Sequence, residues 1–184
     1  PLNPAQFKQR HDLPEGPLIG YTGRHGHEKN LEAIMQAAAP LDLTVVFGGQ
    51  GPATEAIREA ADRNDVDARF LGFLDRAELP AFYNAIDVFA FPSPVETQGI
   101  VALEAMACGT PVVGVNTGAL AETITDGVTG LHYEPGDIEG FSEAIRSALD
   151  DRDQLRERCL AARSEISLSH ALDELESTYE SVLV

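Results

Sequence analysis

Lysine is nearly missing from this chain. Its 13 basic residues include only Lys8 and Lys29, against 30 acidic ones, for a formal net charge of −17 over 184 residues. So strong a negative field argues against nucleic acid and anionic membrane surfaces as partners of this segment, since both carry the same sign. The acids are spread along the chain rather than gathered in one block. That fits a solvated surface adapted to high salt, where ions screen self-repulsion; an acidic partner-binding face is the other reading. Cysteine is scarce as well. Cys108 and Cys159 lack the spacing of a metal or redox pair, which predicts buried, reduced thiols in predicted helices and a cytoplasmic setting. No apolar run approaches the ~20 residues of a membrane helix. The opening PLNPAQFKQR has no initiator Met and no signal-peptide pattern, so a fragment or processed chain is expected. Also missing are a Gly-x-Ser-x-Gly elbow, a Cys/His dyad and the Gly-Lys-Ser/Thr ending that would turn GGQGP (48–52) into a P-loop.

What is present is a regular alternation. A hydrophobic content of 43% supports one globular core. Residues 1–16 read as an irregular lead-in, broken by Pro1, Pro4, Pro14 and Gly16, and residues 17–184 as a single domain. Apolar runs at 18–23, 43–49, 68–72, 87–92, 111–115 and 130–133 predict buried strands. Helical spacing predicts helices at 28–39, 53–63, 80–85, 99–108 and 119–123, and two or three more to the end of the chain. Strands that alternate with helices imply an α/β fold, a doubly wound parallel sheet covered on both faces. Ligands of such folds lie at the carboxyl ends of the strands. Those ends read TGRHGHEK, FGGQGP, LGFLD, FPSPVETQG and GVNTGAL. Glycines such as Gly23 and Gly49 there let backbone amides approach a ligand closely.

Within FPSPVETQG and the helix after it stand Glu96 and Glu104. Glu104 interrupts a helix that is otherwise almost wholly apolar, and a lone buried carboxylate is costly unless something satisfies it. It is expected to face an opening where polar groups arrive, or else to pair with an arginine. The helix starts near Gly99, and the amides of Gly99, Ile100 and Val101 together with the helix dipole favour an anion. Ile100 and Glu104 are four apart and share a face. A phosphate on those amides leaves Glu104 about 6 Å further along, suited to the diol of an attached ribose; Glu96 would hold a second polyol such as a sugar. Arg24 and Lys29 flank the first strand end, and read as a phosphate fork and point charge, or as ordinary surface cations. His25 and His27 form a His-x-His without a third ligand, so loop residues are expected there rather than a metal site; His11, His132 and His170 join no constellation. A glycosidase pair would set two carboxylates face to face across a bond; it would leave Arg24, Lys29 and the helix start without a role, so anchoring explains more.

PSPVETQGIVALEAMACGTPVVG (92–114) resembles the Glu-x7-Glu signature of retaining glycosyltransferases of the GT-B fold, family GT4. GRHGHEKN, VVFGGQGP, ARFLGFL and LPAFYNAIDVFAFPS follow in family order, and the resemblance covers roughly residues 18–135. It implies the C-terminal, Rossmann-like, donor-binding half of a hexosyltransferase, with residues 1–16 as the linker out of a missing N-terminal acceptor domain and any membrane contact confined to that half. It implies a nucleotide sugar such as UDP-glucose or GDP-mannose as donor substrate, no cofactor and no metal. Arg24 and Lys29 would neutralise the diphosphate, Glu96 would hold the sugar hydroxyls and Glu104 the ribose. Gly99 and Ile100 would bind phosphate through their amides, and the segment around Leu74 would meet the base. Where the family usually has Gly-Phe-Gly after the first glutamate, this chain has Thr97-Gln98-Gly99, a form similar to that of some enzymes that glycosylate membrane lipids. A non-catalytic nucleotide-sugar-binding module and a sugar-nucleotide epimerase are the alternatives.

Overall fold

The computed structural model describes residues 3–164. Six strands form one parallel sheet: β1 (Leu18–Thr22), β2 (Thr44–Gly48), β3 (Asp67–Gly72), β4 (Val88–Phe91), β5 (Val112–Val115) and β6 (Gly130–Tyr133), in the order β3-β2-β1-β4-β5-β6. Every residue of β1, β2, β4 and β5 is buried, as parallel strands covered on both faces must be. The crossover helices are α2 (Glu32–Ala38), α3 (Thr54–Asn64), α4 (Leu79–Ala85), α5 (Ile100–Ala107) and α6 (Gly118–Thr123), followed by α7 (Ile138–Asp150) and α8 (Arg152–Ala162). α2 packs on α3 and α7, while α4 and α8 pack on α5. This is the Rossmann-like α/β architecture expected. No helix among the described residues is long and apolar enough to cross a membrane.

Four expectations are corrected. Residues 1–16 are not irregular throughout, because Pro4–Arg10 forms helix α1. Asn3 and Gln6 make a reciprocal capping box, and Pro4 sits in the first turn, where its missing N–H costs nothing. Second, the helix expected at 28–39 is split. A 3-10 turn, His27–Lys29, ends at Asn30 in the left-handed region (φ 53°), and α2 starts only after it; asparagine tolerates that conformation better than most residues. Third, β3 is an edge strand with no fully buried residue, its first four residues alternating between exposed and half-buried. Its charged Asp67 and Arg69 point outward and pair with each other at 2.8 Å. Fourth, Cys108 is the half-exposed cap residue that ends α5, and only Cys159, in α8, is fully buried. Burial pushes the Cys159 thiol up to about 12 and moves Cys108 in the same direction, so both stay protonated. His170 and the last expected helix lie outside the described residues.

The helix α1 is anchored rather than loose. Phe7 is fully buried, its ring 6.2 Å from Phe82 of α4 and 4.3 Å from His11. We predict that Phe7→Ala costs the domain about 3 kcal/mol or more, measured by urea unfolding; a lead-in that merely hangs on the domain would leave the midpoint unchanged.

Candidate functional site

The sheet order reverses direction between β1 and β4, and such a switch point opens a crevice at the carboxyl ends of the strands. Two adjoining cavities of about 350 and 260 Å³ lie there, sharing Thr22, Gly23, Arg24 and Val101 as walls, so they form one continuous cleft. Glu104 closes one end with Gly49, Phe73, Leu74 and Tyr83. Glu96 closes the other with Lys29, Gln98 and Ile100. Arg24 stands between the two carboxylates. Of the residues singled out from sequence, only Gly99 is absent from the walls of this cleft.

Lys29 reaches the cleft because the 3-10 turn projects it there. Its Nζ donates to Glu96 Oε2 at 2.8 Å and lies 3.5 Å from the Val95 carbonyl, and both side chains are only 18% exposed. Burial raises the Glu96 carboxyl, but the Lys29 hydrogen bond and charge, with the amides of Thr97 and Gly99, outweigh it and hold the group below its ordinary range. Lys29 is therefore no ordinary surface cation. Arg24 is the more exposed of the two and pairs with Glu28 one turn away.

Among the described residues Glu104 forms no ion pair with an arginine. The Tyr83 hydroxyl of α4 donates to its Oε2 at 2.8 Å, and the carboxylate is half-buried at the cleft wall. The helix that carries it is not buried all round. Ala102, Ala105 and Met106 face the core, whereas Ile100 is 55% exposed. Ile100 and Glu104 lie at opposite ends of the cleft, with Val101 spanning both. Gly99 has φ 64°, and a Cβ on it would sit 3.3 Å from Leu120. Its glycine thus serves the turn into α5.

The glycine-rich strand ends pack on one another. Gly49 donates to the Gly72 carbonyl at 2.6 Å, and with φ 96° a Cβ there would stand 2.0 Å from the Gly23 carbonyl oxygen. Gly49 is therefore required by the neighbouring strand end, a reason the sequence reading did not supply. His25, expected as a loop residue, is fully buried. Its Nε2 lies 3.3 Å from the Gly48 carbonyl and its Nδ1 2.9 Å from Thr54 Oγ1. The carbonyl can only accept, so the proton sits on Nε2, and Nδ1 accepts from the Thr54 hydroxyl. Thr54 in turn accepts from the Gly51 N–H at 3.0 Å. Both ring nitrogens are thus occupied within the protein. Among the described residues no three His, Cys, Asp or Glu side chains are grouped to hold a metal ion.

Residues 4–164 match the family described as Glycosyl transferases group 1. The chain belongs to that family. The chain is 33% identical to a 2-deoxystreptamine glucosyltransferase of Streptomyces kanamyceticus; the match covers 100% of this chain and 51% of that enzyme, so the chain spans about half of its relative's length. Its structure is similar to the C-terminal domain of a glycosyl transferase group 1 family protein of Francisella tularensis, with a TM-score of 0.79 and 25% identity over 91% of this chain and 95% of that one. It also shares its fold with the Anabaena protein HepE in complex with UDP-glucose, with a TM-score of 0.82 and 23% identity over 98% of this chain and 52% of that one.

Three roles escaped the sequence reading, two of them in the cleft. Tyr83 left one signal, a polar-tipped side chain four positions after Leu79 on a short helix whose one other polar side chain is Asn84. Phe73 left another, an aromatic directly after the glycine that ends β3; it is 78% exposed at the cleft rim. His25 left none, because its partners lie 23 and 29 positions away.

Two predictions arise from the packed strand ends. Gly49→Ala should destabilise the domain by more than the roughly 1–2 kcal/mol of a strained left-handed residue, read as a fall in thermal midpoint. Burial, partly offset by the Gly48 carbonyl, lowers the His25 pKa from 6.5. The unfolded chain then binds the proton that the folded imidazole resists. The stability so gained is full above pH 6.5 and is lost as pH falls towards the folded pKa. Unfolding free energies measured from pH 7.5 down to 5 should therefore fall more steeply for the wild type than for His25→Asn.

Proposed function

We propose that this chain is the donor-binding half of a retaining glycosyltransferase, which transfers a hexose from a nucleoside-diphosphate sugar to an acceptor held by another half of the enzyme. The observation that carries the reading is the single cleft with a carboxylate at each end and Arg24 between them, Lys29 beside the Glu96 end. An ionised carboxylate only accepts hydrogen bonds, so each end suits a group rich in hydroxyls, and the cationic middle suits phosphate.

In this reading Glu104 holds the ribose and Glu96 the hydroxyls of the donor sugar. The base lies by Leu74 and Phe73, where apolar side chains leave its edges to the main chain. Arg24 and Lys29 take the diphosphate, together with the first amides of α5 at Ile100 and Val101, which have no partner inside the helix. As the bond to the sugar breaks, negative charge grows on the departing diphosphate. Fixed cations and helix amides aimed there lower the barrier without a metal. The bound nucleotide sugar of the structurally similar Anabaena protein supports this class of ligand. Residues 1–16 lead from the acceptor half, and the chain alone binds donor but turns over little. Thr97-Gln98 in place of the commoner pattern favours a lipid or cell-envelope acceptor. The protonated thiols fit the cytoplasm, and the acid-rich composition a high-salt interior.

Calorimetric titration with UDP-glucose, GDP-mannose, UDP and GDP tests the proposal. At least one should bind, and Glu104→Ala and Lys29→Met should each weaken it by about 10-fold or more, the worth of a hydrogen bond to a charged group. No binding by any of the four, or a Glu104→Ala protein that binds like wild type, would sink the reading.

A further inference from the structure

We propose that Tyr83 is the positioning residue of the ribose carboxylate, and that through Glu104 it makes the cleft select ribonucleoside over 2′-deoxyribonucleoside diphosphates. The inference rests on the nucleotide reading above and adds to it a residue and a specificity.

Tyr83 has one available pose. Its side chain is 1% exposed, with its ring 5.6 Å from Phe82 and 5.7 Å from Phe89. Its own carbonyl accepts from the Thr110 hydroxyl at 2.6 Å, which ties α4 to the turn after α5. From this fixed seat the hydroxyl crosses to Glu104 Oε2 at 2.8 Å. Burial, then the charge of Glu104, push the phenol well above its ordinary range, which keeps the hydroxyl a donor to the carboxylate.

A glutamate on a helix flank can swing through several rotamers. Here one oxygen is held by the Tyr83 hydroxyl, which leaves Oε1 and the second lone pair of Oε2 as acceptors on a residue that lines the cleft. Those acceptors match two adjacent hydroxyls, each donating one hydrogen bond. A 2′-deoxyribose supplies one donor fewer. The wall of this cavity is mostly apolar, with Phe73, Leu74, Leu79 and Val101, and its other polar side chains are Thr22, Arg24 and Gln50, none of which is hydrogen-bonded to Glu104, whose one side-chain partner among the described residues is Tyr83. A half-buried carboxylate oxygen left without its partner is the costly case. Without Tyr83 the carboxylate could turn to satisfy whichever donor arrives, and the discrimination would fall.

The test compares dissociation constants for UDP with 2′-deoxy-UDP and for GDP with 2′-deoxy-GDP, in wild type, Tyr83→Phe and Glu104→Asp. Wild type should prefer the ribonucleotide by about 10-fold. Tyr83→Phe keeps the ring; it should bring the preference to about 2-fold or less, with the 2′-deoxynucleotide affinity unchanged. Glu104→Asp keeps the charge but withdraws it from the hydroxyl by one methylene, and should lower the preference likewise; it decides the matter should Tyr83→Phe fail to fold. Equal loss for ribo and deoxy ligands in Tyr83→Phe means a merely structural tyrosine and overturns the inference. So does a wild type without preference, or a preference that survives both substitutions. Wild-type protein that binds none of the four overturns the nucleotide reading and this one together; binding with an unmoved ratio overturns this one alone.

Discussion

A buried imidazole with both nitrogens committed holds the cleft in shape. His25 joins the loop after β1 to the end of β2 through Gly48 and to the first turn of α3 through Thr54, while the Gly51 amide closes the chain of bonds on Thr54. Around it the backbone is knitted further: Gly23 donates to Gly48, His25 to Gln50, Ala53 to His25 and Gly49 to Gly72. Three strand ends are thereby locked in register. Arg24 lies next to this knot and Lys29 four residues beyond it, so the two cations approach the cleft from a rigid base. A neutral histidine suits the place, since a second ring proton would have to oppose the Thr54 hydroxyl in surroundings that already disfavour charge.

The strands of the sheet's interior were legible because burial on both faces leaves an uninterrupted apolar run, as in Leu18–Thr22 and Val88–Phe91. β3 misled for the opposite reason: Phe70 and Leu71 suggest burial, yet the alternation of Asp67 and Arg69 with Ala68 and Phe70 marks an edge. Proline at position 4 looked like a breaker, although the first turn of a helix is where proline fits. Glu96, Glu104, Arg24 and Lys29 could be singled out from local chemistry, and the fold does bring them to one cleft. Their partners could not. The Lys29–Glu96 pair spans 67 positions and Tyr83–Glu104 spans 21, and separations of that kind are set by sheet order rather than by any local pattern. Gly49 and Gly99 were singled out for the approach of a ligand, and the structure adds a second demand, a neighbouring backbone at Gly49 and a left-handed turn at Gly99; the two demands read the same in sequence.

The two carboxylates also differ in kind. Glu104, on the cleft wall, is held by a neutral donor, the Tyr83 hydroxyl. Glu96 is fixed by a cation, and the pair is close to neutral as a unit. The cleft is therefore graded in charge along its length, although the chain as a whole is strongly acidic.

The ion pair at the Glu96 end has a consequence for what can occupy it. A small inorganic anion that drew Lys29 away would strand a partly buried carboxylate, and a neutral polyol that engaged Glu96 would strand the ammonium; either exchange leaves one charge poorly solvated. A molecule that brings an anion and hydroxyl donors on one frame satisfies both partners at once. The salt bridge thus behaves as a two-key lock, shut against the abundant phosphates and sugars of a cell taken singly and open to a ligand that joins them.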